Sequence, residues 1–151
     1  MTQSPSPGSS NLTLRDLEKY VFTTTYEDRV YDCVDLVVQV QREVYGRLLD
    51  TPGAADRSAG VRGHARLLRE SLVTYLEKTD DPQNGDVVLV WETTPFGKPP
   101  YNRRWHIGVF HRHYGEPWML HAANAKAGTR LQRLDDVLRA GNHFEAYLAW
   151  K

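Results

Sequence analysis

The chain has 151 residues, 40% apolar and 25% charged, enough for one compact domain with a core of its own. Nineteen basic residues balance nineteen acidic ones, which disfavours a general electrostatic grip on nucleic acid or an anionic membrane. A single cysteine rules out an internal disulfide framework. There is no signal-peptide core and no apolar run long enough for a membrane span, so the expectation is a product made in the cytoplasm.

Residues 1–11 are polar and rich in Ser and Pro, and are expected to form a flexible tail ahead of one domain over 12–151. Thr13 is placed to cap a first helix, in which Leu14, Leu17 and Val21 recur at helical spacing. The segment 22–31 reads as loop. A second helix is expected from about Asp32 to Leu48, with Cys33, Leu36, Val37, Val40 and Val44 on one face. After a Gly/Pro/Ala-rich loop at 50–60, a third amphipathic helix is expected from about Arg62 to Lys78, on Leu67, Leu68, Leu72 and Leu76. Pro82 and Asn84-Gly85 then break the chain.

Beyond Gly85 the apolar period changes to two. Segments 86–92, 104–114, 117–123, 130–134 and 144–151 read as strands, with a short helix at 135–140 between the last two. Helices followed by a meander of strands describe an α+β domain: N-terminal helices packed on an antiparallel sheet of about five strands.

Cys33 falls where a loop turns into a helix. A thiol in the first turn sits among unpaired backbone N–H groups at the positive end of the helix dipole, which favours the thiolate. The same N–H groups can hold an oxyanion during acyl transfer. A single cysteine is more often a small buried hydrophobe, so a nucleophile needs an imidazole and a group to orient it.

Six histidines are available. In "WHIGVF", alternation puts Ile107 and Val109 on one sheet face and His106 and Gly108 on the other. Glycine there leaves room for a helix end or a substrate. His121 alternates in the same way between Leu120 and Ala122, and a neighbouring strand would set it against the distal nitrogen of His106. His111 and His113 read as a solvated strand end, His64 as part of an Arg-rich helix start, and His143 as a turn residue. A zinc site built from His106, His111 or His113, and His121 lacks any recognised ligand spacing. Trp91, Trp105, Trp118 and Trp150 all fall on expected strands, with Trp105 and Trp118 candidates to flank a cleft.

Taken in order, "YDCVDLV", "NGDVVLV", "HIGVF" and "MLHAAN", followed by "GTRLQRLDDV", resemble the NlpC family of cell-wall cysteine endopeptidases over roughly residues 14–151. The compact form is most similar to the peptidases of tailed phages and phage-like particle tails. The resemblance implies a papain-like fold and a site in which Cys33 is the nucleophile, His106 the base and His121 the residue orienting it. It also implies Tyr26 as a tyrosine lining the site, with Tyr31 the alternative, and Gly108 beside the substrate. The implied reaction is hydrolysis of an amide bond in a peptidoglycan stem peptide, near D-glutamyl and diamino-acid residues, without metal or organic cofactor. Tail hub or tip proteins would be partners, and the place of action the periplasm or cell wall, reached from a virion.

Two features depart from that family. The stretch between tyrosine and cysteine lacks a glycine pair, and Val34-Asp35 replaces the usual small or aromatic residue and glycine. Asp35 suits the helix dipole but opposes a nearby thiolate. A catalytically silent plug or hub protein of a tail is therefore the rival expectation. An amidase or acyl-transfer enzyme using the same three residues is another.

Overall fold

Residues 14–23, 33–49, 74–124 and 127–151 are described by a computed structural model. The expectations for the tail, Thr13, Tyr26, Tyr31, the 50–60 loop and His64 lie outside these residues. Helix α1 (Leu14–Thr23) buries Leu14, Leu17 and Tyr20 and exposes Arg15, Asp16, Glu18 and Lys19, the stripe expected of a helix lying on a sheet. Helix α2 (Cys33–Tyr45) buries Cys33, Val34, Leu36, Val37, Val40, Gln41 and Tyr45. It stops three residues short of the expected Leu48 because Gly46 turns into the left-handed region at φ 69°. The Arg47 N–H then closes the end by donating to the Gln41 carbonyl at 2.8 Å.

Of the third helix expected over 62–78, residues 62–73 lie outside the described residues, and the largest departure from expectation is at its end, where Leu76–Lys78 belong to strand β1 (Leu76–Thr79). The C-terminal strand presents a sheet edge, and pairing from Leu76↔Trp150 to Thr79↔Tyr147 satisfies these backbone groups. Helical leucine spacing yields to that ladder, since propensity is weaker than tertiary pairing. The other strands follow their period: β2 (Val87–Thr93), β3 (Arg103–His113), β4 (Glu116–Asn124), β5 (Gly128–Arg133) and β6 (His143–Trp150), with helix α3 (Leu134–Arg139) between the last two. The sheet has six strands instead of about five, in the order β1-β6-β2-β3-β4-β5. Every pairing is antiparallel. It is not a simple meander, because β6 returns to lie between β1 and β2.

Two apolar layers flank the sheet. One joins α1 and α2 to Val87, Ile107, Val109, Leu120, Ala122 and Leu148. The other joins Val88, Val90, Phe110 and Met119 to Leu134 and Val137 of α3. The C-terminal end of α2 is tied to the β2 entry through one carbonyl. Gly85 O accepts from Gln41 Nε2 at 2.9 Å and from Trp150 Nε1 at 2.7 Å, and Arg47 Nη1 donates to Gln41 Oε1 at 2.7 Å. Gly85 has φ 96°, and a Cβ there would meet the Tyr45 ring at 2.7 Å, so glycine is needed for both backbone and space. This junction holds α2 across β3 and β4.

Candidate active site

The β3–β4 ladder runs from His113↔Glu116 to Val109↔Leu120 and ends there. Beyond that point β3 continues to pair with β2 as far as Arg103↔Thr93, and β4 with β5 as far as Asn124↔Gly128. His106 and His121 lie just past the last β3–β4 pair. The rings meet edge to face, 5.0 Å between centroids, with His106 Nε2 2.7 Å from His121 Nδ1. This is the pairing expected from alternation.

Gly108 has a different use from the expected one. A Cβ at this position would lie 2.5 Å from the Leu120 carbonyl oxygen and 2.7 Å from Met119 Cε. The space left by the missing side chain is filled by β4, and no helix end or substrate is needed to explain the glycine.

A third residue completes the chain of contacts. His121 Nε2 lies 2.8 Å from Gln132 Oε1 of β5. The ring of His121 is 4% exposed, and this burial holds its pKa below the ordinary histidine value despite the Gln132 hydrogen bond, with Arg130 acting in the same direction as burial. A neutral His121 must then donate from Nε2–H to the Gln132 oxygen, which makes its Nδ1 an acceptor. His106 consequently donates from Nε2–H, and its own lone pair lies on Nδ1. Proton positions along the chain are thus set by one glutamine oxygen. Gln132 was not among the sequence candidates. Its signal was available in the period of two, because His121 pairs with Arg130, and Gln132 is the next residue on that face.

Cys33 opens α2 and is 3% exposed. It belongs to the helix-side core with Val34, Leu36, Ile107 and Ala122, against which Trp105 also packs. Ile107 and Trp105 flank His106 along β3 and face the helix-side core that holds the sulfur. By register, however, His106 is opposite Val90 and Gly108 opposite Val88, valines of the α3-side layer. The fold brings the two histidines and Gln132 together, and sets Cys33 in the helix-side layer at the start of α2.

The other histidines part company with the sequence reading in one respect. His111 is no solvated rim: it is 2% exposed, its Nδ1 is buried without a hydrogen-bond partner, and it faces Trp118, whose Nε1 is likewise unpartnered. Burial holds its pKa low, His113 adding to the effect and Asp16 opposing it. Since odd-numbered residues of β3 face the helices, His111 points away from His106. Among the described residues no three His, Cys, Asp or Glu side chains converge as a metal site. His143 begins β6 and stacks on Trp91, ring centroids 4.1 Å apart. No described helix is long and apolar enough to cross a membrane. Comparison of the chain with protein-family models, curated proteins and solved structures finds no match.

Proposed function

We propose that the protein is a cysteine peptidase of the NlpC type, with a papain-like fold, that hydrolyses an amide bond in peptidoglycan stem peptides. The observation carrying this reading is the directed chain Gln132–His121–His106, which leaves the acceptor nitrogen of a half-buried imidazole at Nδ1. In the proposed reaction, Nδ1 of His106 takes the proton of Cys33 and the thiolate attacks the substrate carbonyl carbon. Backbone N–H groups of the first turn of α2 receive the oxyanion. The imidazolium gives its proton to the leaving amine, and the same nitrogen then activates the water that releases the acyl group. His121 holds the ring and its tautomer throughout. The reading requires the sulfur to reach His106 where β3 and β4 have ceased to pair.

Digestion of purified cell wall tests it. Wild-type protein should release new amino termini, Cys33→Ala should release none, and His106→Ala should lower the rate by about 10²–10⁴-fold. Mass spectrometry of the fragments separates stem-peptide cleavage from amidase or acyl-transfer chemistry.

The near-complete burial of Cys33 favours a second reading, a structural plug or hub component of a tail that keeps the site without using it. Folded wild-type protein that releases no amine from walls of several chemotypes would establish that reading instead. Both readings place the chain in a phage or phage-like tail, on the strength of its compact motif order, and detection of the protein on purified particles tests that placement.

A further inference from the structure

Arg103 opens β3, three residues before His106 and about 10 Å from it along the strand. Its guanidinium carbon lies 4.1 Å from the centre of the Trp91 ring, while the His143 ring stacks on the same indole at 4.1 Å, inclined by 22°. An indole has two faces, so arginine and histidine hold it between them. Trp105 borders the stack, its ring 6.3 Å from that of Trp91. The aromatic packing occupies the face of the guanidinium and leaves its N–H edge for hydrogen bonding.

That edge has no acceptor among the described residues, in ion pairs or side-chain hydrogen bonds. The contrast with its neighbour is informative. Arg104 is paired with Glu92, its cross-strand partner. Arg103 stands opposite Thr93, which carries no charge. One strand end therefore presents two arginines, one neutralised and one held in place with its donors unused. A planar guanidinium with limited freedom loses little entropy when a planar carboxylate docks on it through two parallel hydrogen bonds.

We infer that Arg103, stacked on Trp91, is an anchor for a carboxylate of the peptide substrate. The inference rests on the peptidase reading for the identity of that substrate and adds a specificity-determining residue to it. Arg103 stands at an odd position of β3, on the face that carries α1, α2 and the Cys33 layer, so the anchored carboxylate would be held on the nucleophile's side of the sheet. Stem peptides carry such carboxylates on D-glutamyl and diamino-acid residues and at the chain end.

The test uses full-length Cys33→Ala protein, in which hydrolysis cannot remove the probe. A stem tetrapeptide with free carboxylates and the same peptide with every carboxylate amidated are titrated against it, with tryptophan fluorescence as the reading. The free acid should bind about tenfold more tightly than the amide. Arg103→Gln should erase that preference, and Arg103→Lys should restore only part of it, since an ammonium neither stacks nor forks. Circular dichroism confirms that the variants are folded, and Trp91→Leu, which frees the arginine without removing its charge, should weaken the preference by a few-fold. Equal affinities for acid and amide in the Arg103-containing protein would overturn the inference. So would an unchanged preference in Arg103→Gln, or displacement of the acid by inorganic phosphate at lower concentration than by acetate. The two readings fail separately. An Arg103-dependent preference beside a wild-type protein without hydrolysis removes the peptidase and keeps the anchor, whereas hydrolysis of acid and amide at equal rates removes the anchor alone.

Discussion

Nε2 of His106 lies 2.7 Å from Nδ1 of His121, and the direction of that hydrogen bond is dictated from the far side of His121 by Gln132. Removing the glutamine oxygen should therefore act on a residue it does not touch. Gln132→Leu leaves the His121 Nε2–H buried without an acceptor, and should cost about 1–3 kcal/mol of stability in urea unfolding. With the tautomer of His121 no longer imposed, NMR of the ring nitrogens should show His106 losing its single protonated position at Nε2. Retention of the wild-type tautomers in Gln132→Leu would contradict the relay.

His111 and His121 both have pKa values held below the ordinary 6.5, in each case chiefly by burial. Unfolding returns them towards that value, so below it the unfolded chain binds more protons than the native one. Above about pH 7 both states are neutral and the stability is fully present. It should fall as pH drops through about 6.5. Urea midpoints measured from pH 7.5 to 5.5, above the range where most carboxylates titrate, should decline, and His111→Phe should flatten part of that decline.

Gly108→Ala should destabilise by about 2 kcal/mol or more, because the added carbon meets a backbone oxygen of Leu120 that cannot rotate away. Met119→Ala in the same chain removes only the softer of the two clashes, so the double variant should not recover wild-type stability. Full recovery in thermal unfolding would show that β4 yields more readily than its pairing suggests.

Gln41 is wholly buried and links Gly85 O to Arg47, whereas Gln39, two residues earlier, bonds to exposed Glu43. Gln41→Leu should cost about 1–3 kcal/mol, since it leaves part of a buried polar junction unsatisfied. Gln39→Leu should stay within about 0.5 kcal/mol. Similar losses in both variants would mean that the α2–β2 junction is not the fixed point described above.

Much of this molecule follows from local pattern. The switch in apolar period near Gly85 marks where helices give way to strands, and it places β2 to β6 within about two residues of where they are found. The alternation in "WHIGVF" and "MLHAA" was sufficient to pair His106 with His121, because neighbouring antiparallel strands offer few ways to set those rings side by side. Local pattern failed where a distant segment supplied the partner. Leu76 has helical spacing yet forms a strand, because Trp150, seventy-four residues later, offers it an open edge. His111 looked like a solvated end and is buried, because it stands opposite Trp118 on the face of the sheet that carries α1 and α2.

Chemistry, period and the order of elements are properties of neighbouring residues, and the chain alone determined them: a lone thiol opening a helix, two alternating histidines, an α+β order. Which way a proton lies between those histidines, how deeply the sulfur is covered, and which arginine is left with its donors unused were decided only by tertiary structure. Hydrogen-bond direction, burial and charge pairing each depend on what the fold brings within a few ångströms. For Gln132, Cys33 and Arg103, those neighbours come from other helices and strands.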